Sequence, residues 1–455
     1  MKISTLALIV IFFTVSASTA NALKIDTQTP TPRNAIVPSI ASSQCAALPP
    51  ATGAIVNVST VGQLESAVNN ATSGTTILIA DGTYNLNGVY LRIDVPNVTA
   101  RSASGNRDAV ILDGNYDTTE IIQIVASNVT IADLTLREAY YHPIHVMSTS
   151  SSDTNNTLVY NVHIIDPGEQ AIKINPYTGD YAAYFTDNGI VACSHIELTD
   201  VGRTQIRNNC YTGGVDAHQS RGWVIRDNVI EGFWCQSGLS EHGVHMWNSC
   251  AETIVERNLF RNNARGVGFG MATNATGKRM YPGLCPTASG YVDHYAGVIR
   301  NNFVVATDSR LFDSQYGFDC GICLWNACNA RALHNTVYTA DPVHTFSAIE
   351  WRFANTNADI INNLVNDALM PRDGATATQS GNLTNAQASW LIDPSIGDLH
   401  LRSTATNAID HAAVVTGVSD DYDGNLRPNG SASDVGADEY QAASESRTYL
   451  PLLLR

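Results

Sequence analysis

The stretch Ile225-Arg226-Asp227-Asn228-Val229-Ile230 recurs along the chain and decides the fold. Its order of one apolar residue, two variable residues, Asn and two apolar residues returns at 255–260, 299–304 and 360–365. Residues 333–338 fit the unit if Thr336 takes the place of the Asn. The Asn-to-Asn steps are 30, 44 and 61 residues, so constant strands are separated by variable loops. This pattern favours a solenoid over a sandwich or propeller, whose hairpins and regular blade length are not visible.

A second unit follows the first in most repeats and alternates apolar with variable residues. It occupies 143–147, 171–175, 214–218, 243–247, 266–270, 321–325 and 348–352. Period-two alternation is typical of a strand with one buried face. Two such strands per coil, stacked many times, predict an all-β parallel β-helix. In that fold the Asn column would point inward and hydrogen-bond from one rung to the next.

The chain is long, acidic and sparsely charged. It has 455 residues, of which 15% are charged and 44% hydrophobic, and a formal net charge of -16. The hydrophobic share is ample for a large core, which excludes a disordered chain. An acidic surface repels phosphate backbones, so we expect no nucleic-acid partner. After the N-terminal segment no apolar run approaches the roughly 20 residues that span a bilayer, so no transmembrane segment is predicted.

The first residues have the features of an export signal. Lys2 gives a positive start, residues 6–15 are apolar apart from Thr14, and Ala20-Asn21-Ala22 is a small-x-small cleavage motif. An uncleaved membrane anchor is the alternative. We therefore expect a protein that is secreted or held at the cell surface.

The chain divides into four predicted parts. These are a signal peptide at 1–22, a linker at 23–50, a β-helix domain at 51–440 and a C-terminal tail at 441–455. The linker carries Pro, Thr and Ser without periodicity. Val61, Leu64 and Val68 recur at helical spacing, which predicts a short N-terminal capping helix over 61–71.

The nine cysteines also fit an oxidising compartment. Nine is an odd number, so at least one thiol has no partner within the chain. Proximity in sequence predicts two disulfide bonds, one between Cys193 and Cys210 and one between Cys235 and Cys250. An alternative for the C-x2-C-x4-C stretch at 320–328 is a zinc site, although no second Cys or His pair completes a tetrahedral set.

Both ends of the predicted β-helix resemble a known superfamily. The opening, at 58–84 with Ala80-Asp81-Gly82-Thr83-Tyr84, and the following segment 101–114 look like the capping start of secreted right-handed parallel β-helix proteins of the pectate-lyase-like superfamily. The closing segment at 423–440 resembles the end of bacterial members. The resemblance covers about residues 51–440 and implies a single-stranded, right-handed β-helix. It specifies the reaction poorly, because the superfamily includes polysaccharide lyases, glycoside hydrolases, uronate epimerases and binding proteins.

Stacking the second units places equivalent side chains about 4.8 Å apart on one outward face. One outward column consists of His145, Lys173, Asp216, His245, Gly268, Cys323 and Glu350. The neighbouring column consists of Met147, Asn175, His218, Trp247, Gly270, Trp325 and Arg352. Titratable groups of both signs, an amide and an aromatic ring thus meet on one patch. The two glycines would leave a depression beside it.

Such a patch suits β-elimination on a uronate sugar. The catalytic base removes the proton at C5, which becomes acidic only when the neighbouring carboxylate is neutralised. Three residues are candidates for the base. Lys173 and His218 are favoured equally, and His245 is favoured somewhat less. A Ca2+ ion bound by Asp216, with help from Glu169 or Asn175, would neutralise the carboxylate and bridge an acidic protein to an acidic polymer.

The remaining candidates would bind the sugar chain. They are Asn175, Trp247, Trp325 and Arg352, of which the two tryptophans would stack on sugar faces. We expect a monomeric polysaccharide lyase whose partner is its polysaccharide substrate. Three alternatives stay open: a glycoside hydrolase that uses Asp216 and Glu241, a C5 epimerase on the same patch, and a glycan-binding surface protein without activity.

Overall fold

The computed structural model describes residues 45–178, 182–271, 279 and 291–441. The predicted signal peptide, most of the linker and nearly all of the tail lie outside these residues. The described residues form three long parallel β-sheets with only short helices, which confirms the parallel β-helix. Within the described part of the chain, no helix is long and apolar enough to cross a bilayer.

Most coils of the β-helix contribute one strand to each of three sheets, and two coils contribute two short strands to the first sheet. The first sheet has 14 strands: Ala54–Val58, Thr75–Ile79, Thr99–Ser102, Thr130–Ala132, Leu158–Tyr160, Ile190–Ala192, Val224–Arg226, Cys250–Ala251, Ile254–Glu256, His294–Tyr295, Val298–Arg300, Ala327–Leu333, Asn357–Ile361 and Thr376–Ser380. The second sheet has 10 strands: Gly82–Asn85, Val110–Asp113, Thr135–Arg137, His163–Ile165, His195–Glu197, Val229–Glu231, Leu259–Arg261, Phe303–Ala306, Thr336–Thr339 and Leu364–Val365. The third sheet, which we call the site sheet, has 10 strands: Leu91–Ile93, Glu120–Ile124, His142–Met147, Gln170–Asn175, Gly213–His218, Val244–Trp247, Arg265–Phe269, Phe318–Trp325, Thr345–Arg352 and Leu369–Arg372.

Neighbouring strands pair so that like residues stack on like residues. In the site sheet Ile172 pairs with Val215, and Val215 pairs with Val244. All three side chains are fully buried, because alternate residues of each strand point into the coil. The inward aliphatic residues of successive coils form one continuous core. Burying each such side chain stabilises the fold by about 1.5–3 kcal/mol.

A column of asparagines runs along the corner between the first and second sheets. Its members are Asn228, Asn258, Asn302, Asn335, Asn363 and Asn382. The side-chain amide of Asn258 donates to Oδ1 of Asn302 at 3.0 Å, and the amide of Asn302 donates to Oδ1 of Asn335 at 3.0 Å. The inward Asn column is therefore present, with one correction. Asn335 occupies the repeated position, and Thr336 follows it as the first residue of a strand in the second sheet.

A short amphipathic helix, Val61–Asn69, lies at the N-terminal end of the stack. The Thr60 hydroxyl accepts a hydrogen bond from the Gln63 backbone N–H at 3.2 Å and caps the helix. Its buried face consists of Leu64, Ala67 and Val68, which join the main core. The helix ends two residues before the predicted limit of 61–71. The other helical turns are Arg107–Ala109, Asp200–Arg203, Ser309–Phe312, Pro342–His344, Ala388–Trp390 and Pro394–Ile396.

Residues 381–440 leave the stack and pack along the outside of the second sheet. They include an antiparallel pair of strands, Leu391–Asp393 and Asp398–Leu401. Their apolar side chains form a second core with outward residues of the second sheet such as Phe303. This segment packs against a different face from the site sheet, and the extent of the domain at 51–440 stays a prediction.

Both predicted cysteine pairs are wrong. Cys193 bonds to Cys45, and Cys210 bonds to Cys235. Cys210 and Cys235 lie in loops that precede neighbouring strands of the site sheet, whereas Cys193 follows a strand of the first sheet. Cys250 is buried with a free thiol, as the odd cysteine count requires.

The alternative of a zinc site formed by all three cysteines of the stretch 320–328 does not hold, and disulfides take its place. Cys320 and Cys323 lie in the site sheet and form a disulfide with each other. Cys328 lies in a strand of the first sheet and is itself disulfide-bonded. The third cysteine therefore cannot complete a metal site with the other two.

Candidate functional site

The predicted outward columns are present in the site sheet. Lys173 pairs with Asp216, and Asp216 pairs with His245. The long insertion between Lys173 and Asp216 adds no extra coil to this sheet, because its strands Ile190–Ala192 and His195–Glu197 belong to the first and second sheets. The stack therefore brings these three side chains onto successive rungs of one face.

Five side chains, which we call the Lys173 cluster, converge on this face: Lys173, Tyr211, Asp216, His218 and Trp247. The Lys173 ammonium donates to Oδ2 of Asp216 and, at 3.2 Å, to the Tyr211 hydroxyl. Its Nζ lies 3.2 Å from Nε2 of His218. On the next coil, the indole N–H of Trp247 donates to Oδ1 of Asp216 at 2.7 Å. One buried carboxylate thus joins three coils.

The members of the Lys173 cluster differ in their access to solvent. Asp216 is 1% exposed and Lys173 is 8% exposed. The side chain of His218 is 20% exposed, and its ring meets Trp247 edge to face with a centroid distance of 4.6 Å. The imidazole of His218 is therefore more open to a bound polymer than the ion pair of Lys173 and Asp216.

Burial and neighbouring charges set the protonation of the cluster. Burial acts to raise the pKa of Asp216, but the Lys173 ammonium and His218 hold that pKa well below 3.8. Burial acts to lower the pKa of Lys173, yet Asp216 and Tyr211 raise it above its ordinary value. Burial lowers the pKa of His218 against the opposing effect of Asp216, and burial raises the pKa of Tyr211. At neutral pH the cluster therefore holds an ion pair beside a neutral imidazole and a neutral phenol.

His245 lies beneath the cluster rather than on its surface. It is 0% exposed, and its ring stacks on Trp247 with a centroid distance of 5.0 Å. Its Nδ1 lies 2.9 Å from Oε2 of Glu241 and 3.7 Å from Oδ1 of Asp216. An imidazole without exposed surface cannot reach a polymer, so its place in the fold does not suit the predicted role as a base.

The predicted depression at the two outward glycines is wrong. The ring of His242 lies over Gly268, where a Cβ atom would come within 2.5 Å of Nε2. Gly270 lies under the backbone of Trp325, and a Cβ atom there would be 2.0 Å from the carbonyl oxygen. The glycines admit a crossing side chain and a close backbone, so the space that they leave is filled.

The predicted calcium ligands are each bonded to other side chains. Both carboxylate oxygens of Asp216 accept hydrogen bonds from nitrogen donors. The carboxylate of Glu169 is bonded by Asn208, and Oδ1 of Asn175 contacts Nε2 of His145 at 2.8 Å. Calcium takes six to eight oxygen ligands, whereas the groups that surround Asp216 offer mostly N–H donors. The residues at this position do not fit Ca2+.

Two predicted sugar-binding residues lie on more distant coils. Trp325 is 6% exposed and donates its indole N–H to Glu350, so it packs within the protein and offers almost no ring face to a sugar. Arg352 pairs with Trp325 in register and contacts Asp373, with 31% of its side chain exposed. Of the two tryptophans, only Trp247 belongs to the Lys173 cluster.

Two residues at the site have no counterpart among the predicted ones. Tyr211 precedes the strand Gly213–His218 and enters the cluster from a loop, so an alignment of strand units could not place it. His242 also precedes its strand. The one related signal in the sequence is Gly268 in the outward column, which on its own predicts an empty depression although the ring of His242 fills it.

Comparison with known proteins finds similarity in structure only. No protein-family model and no curated protein matches the chain. An alginate lyase from Paenibacillus sp. is 16% identical, over 72% of this chain and 98% of that chain, with a TM-score of 0.45. Pectate lyase Pel9A is 13% identical, over 83% of this chain and 90% of that chain, with a TM-score of 0.47. A tailspike protein of E. coli bacteriophage HK620 is 13% identical, over 72% of this chain and 56% of that chain, with a TM-score of 0.44.

At these identities the similarity to solved structures concerns the fold and assigns no reaction. The chemistry has to follow from the side chains of this chain. What the structure itself establishes is a parallel β-helix that carries a buried ion pair, an imidazole and a phenol on one outward face.

Proposed function

We propose that the protein is a secreted polysaccharide lyase that cleaves an acidic, uronate-containing polysaccharide by β-elimination at the Lys173 cluster. The observation that carries the proposal is the contact of one ammonium group with Asp216, Tyr211 and His218 on the outward face of the site sheet. Elimination needs a base, a positive charge beside the substrate carboxylate, and a proton for the leaving oxygen. The cluster contains one group suited to each.

His218 is the base in this proposal. Its lowered pKa keeps the imidazole unprotonated at neutral pH. Its side chain is also more exposed than those of its neighbours Lys173 and Asp216. An imidazole that is neutral at the working pH can accept the C5 proton directly. On these grounds we assign the base to His218 rather than to Lys173, which the sequence left equal.

Lys173 supplies the positive charge. Its raised pKa keeps the ammonium protonated, and Asp216 holds it in place. An ammonium beside the substrate carboxylate stabilises the negative charge that develops when the C5 proton leaves. A fixed ammonium thus takes the part that a calcium ion would otherwise play, and no metal is needed at Asp216.

Tyr211 is the proton donor for the leaving group. Burial raises the pKa of its hydroxyl, so the phenol keeps its proton at neutral pH. In the reaction the C5–H bond breaks toward His218, the C4–C5 double bond forms, and the C4–O4 bond breaks. O4 then takes a proton from Tyr211, which leaves one unsaturated sugar end and one ordinary end.

The hydrolase alternative is weaker on electrostatic grounds. The carboxylates of Asp216 and Glu241 both approach Nδ1 of His245, so they are close enough to be considered as a hydrolytic pair. One carboxyl of such a pair must hold a proton near neutral pH, which needs a raised pKa. The Lys173 ammonium lowers the pKa of Asp216, and the imidazoles of His242 and His245 lower that of Glu241, although burial opposes both effects.

The disulfides Cys45–Cys193 and Cys210–Cys235 support an extracellular or cell-surface location, because such bonds persist in oxidising compartments. The signal peptide at 1–22 remains a prediction. So does the monomeric state.

The test is a panel of uronate polymers incubated with the purified protein, with and without a chelator. Elimination produces ultraviolet absorbance from the new double bond, together with new reducing ends, and we expect both in the presence of chelator. Reducing ends without that absorbance would replace elimination with hydrolysis. Binding of a polymer without any new ends would leave a glycan-binding protein.

A further inference from the structure

A second group of ligating side chains lies behind the Lys173 cluster. We call Glu241, His242, His245, Cys320 and Cys323 the His242 cluster. A ring nitrogen of His242 and the sulfurs of Cys320 and Cys323 all lie within 4.8 Å of one another, and the same holds for ligand atoms of Glu241, His242 and His245. His242 belongs to both sets and therefore lies at their centre.

The imidazole of His242 is buried, and its ring nitrogens lack hydrogen-bond partners among the described residues. The residue is 0% exposed. Its Nδ1 is 3.8 Å from Oε2 of Glu241, beyond hydrogen-bond distance. A buried polar group without a partner destabilises a fold by about 1–3 kcal/mol, so such groups are rare and call for an explanation.

The fold makes specific room for this imidazole. His242 lies on the outward column between His245 and Cys323, over the position of Gly268. Any side chain at Gly268 would collide with the ring, since even a Cβ atom would come within 2.5 Å of Nε2. The glycine thus allows an imidazole to lie next to two cysteines on the following coil.

We propose that the His242 cluster is a redox-dependent zinc site, in which His242 and the thiolates of Cys320 and Cys323 bind Zn2+ when the disulfide between the two cysteines is reduced. Two sulfurs and an imidazole are ligands that zinc prefers, and they supply three of the four positions of a tetrahedral site. Two thiolates balance the charge of the ion, so a buried site is not left with a net charge.

The redox step is a two-electron exchange with a low-molecular-weight thiol. Two thiols of that reductant become a disulfide, and the Cys320–Cys323 bond is reduced to two thiols. Zinc then displaces the two thiol protons into solvent as it binds. Oxidation of the cysteines releases the ion, so disulfide and zinc exclude each other at this position.

The experiment uses the whole chain in both redox states. The protein is reduced without oxygen by a trialkylphosphine and then titrated with Co2+ as a spectroscopic probe and with Zn2+. We expect one equivalent of metal per reduced chain, with thiolate-to-cobalt absorption bands, and none per oxidised chain. The comparison within one wild-type protein keeps the test valid if a variant fails to fold.

Variants assign the ligands. Cys320→Ser with Cys323→Ser is expected to abolish the cobalt bands, and His242→Gln is expected to weaken metal binding. Cys250→Ser is the matched control, because Cys250 is also a buried thiol but lies in the first sheet. Reduced wild-type protein that takes up no more metal than the double serine variant would overturn the proposal, as would loss of the bands in Cys250→Ser.

Discussion

Trp247 donates its indole N–H to the same carboxylate of Asp216 that binds the Lys173 ammonium. The three residues lie on three successive strands of the site sheet, with Asp216 in the middle. A carboxylate that is only 1% exposed depends on these two donors, because an unpaired buried charge is strongly unfavourable. The position of the ammonium therefore depends on the register of the whole coil stack.

Removal of the ammonium is expected to cost both stability and activity. Lys173→Met leaves Asp216 buried without its cation, and we expect a loss of about 3–5 kcal/mol in the free energy of unfolding. The double variant Lys173→Met with Asp216→Asn removes the uncompensated charge, so it should recover most of that stability and none of the lyase activity. Arg310→Met is the control, since the exposed ion pair of Arg310 with Asp308 contributes less than about 1 kcal/mol. Recovery of activity in the double variant would contradict the role of Lys173.

Removal of the His218 imidazole is expected to abolish the fall of kcat/KM at low pH, which we call the acidic limb of the pH profile. In the wild type His218 must be unprotonated to act, and its pKa is lowered below 6.5, so kcat/KM should fall only as the pH drops below that value. His218→Gln should lower kcat by about a hundredfold or more and abolish this limb. His195→Gln, which removes an imidazole paired with Glu231 on the second sheet, is the matched control. An unchanged acidic limb in His218→Gln would exclude His218 as the base.

Four buried histidines should make the fold sensitive to acid. Burial lowers the pKa of each to about 3, and they are His142, His242, His294 and His334. The unfolded chain binds these protons near pH 6.5 and the folded chain does not. The free energy of unfolding is therefore not reduced by these histidines above pH 6.5. As the pH falls from 6.5 toward 3, it decreases by about 1.4 kcal/mol per pH unit for each histidine.

His294→Phe isolates one of these contributions. The ring of His294 stacks on Phe269 at a centroid distance of 4.0 Å, so phenylalanine keeps the contact and loses the titration. The dependence of the urea midpoint on pH between 6 and 4 should become shallower in the variant, by about 1.4 kcal/mol per pH unit after conversion to free energy. Parallel curves for variant and wild type would show that His294 takes up its proton in the folded protein.

The asparagine column should carry a large share of the stability of the corner. Asn302→Ala removes a side chain that accepts from the backbone N–H and the side-chain amide of Asn258 and donates to Asn335. The variant leaves the buried backbone N–H of Asn258 without its acceptor. We expect a loss of about 2–3 kcal/mol in urea denaturation. Asn57→Ala, at an exposed strand position, should change stability by less than about 0.5 kcal/mol. Equal effects at the two sites would contradict the structural role of the column.

Salt should promote activity on a long acidic polymer. The chain has a formal net charge of -16, so it repels a polyanion at long range. The screening length falls from about 30 Å at 0.01 M to about 8 Å at 0.15 M monovalent salt, which weakens that repulsion and leaves contacts within the site largely intact. We expect KM to fall over this range while kcat stays constant. A KM that rises with salt would mean that attraction by Lys173 dominates the encounter.

The sequence was most informative where the coil repeats itself. Alternation in the second units placed Lys173 and Asp216 on adjacent rungs, because strand register follows directly from which residues must face inward. The asparagine column was equally visible, apart from the shift by one residue at Asn335. What recurs in every coil could thus be predicted from the residues alone.

Features that occur once could not be predicted in this way. Tyr211 and His242 enter the site from loops that precede strands, and loops do not obey the period of the strands. The disulfide partner of Cys193 is Cys45, 148 residues away in sequence, which no local spacing indicates. The burial of His245 and Trp325 depends on how neighbouring coils cover them, so an outward position in a strand does not by itself mean exposure.

The segment at 381–440 changes how the β-helix comes apart. In a simple solenoid each coil touches only its neighbours, so the open end can fray one coil at a time. Here Asp420 forms an ion pair with Arg257 at 2.8 Å, and the backbone carbonyl of Asp420 accepts from the side-chain amide of Asn301 on the next coil at 2.9 Å. Release of the last coils would also have to break these contacts, so we expect the coils that the segment joins to unfold together rather than one by one.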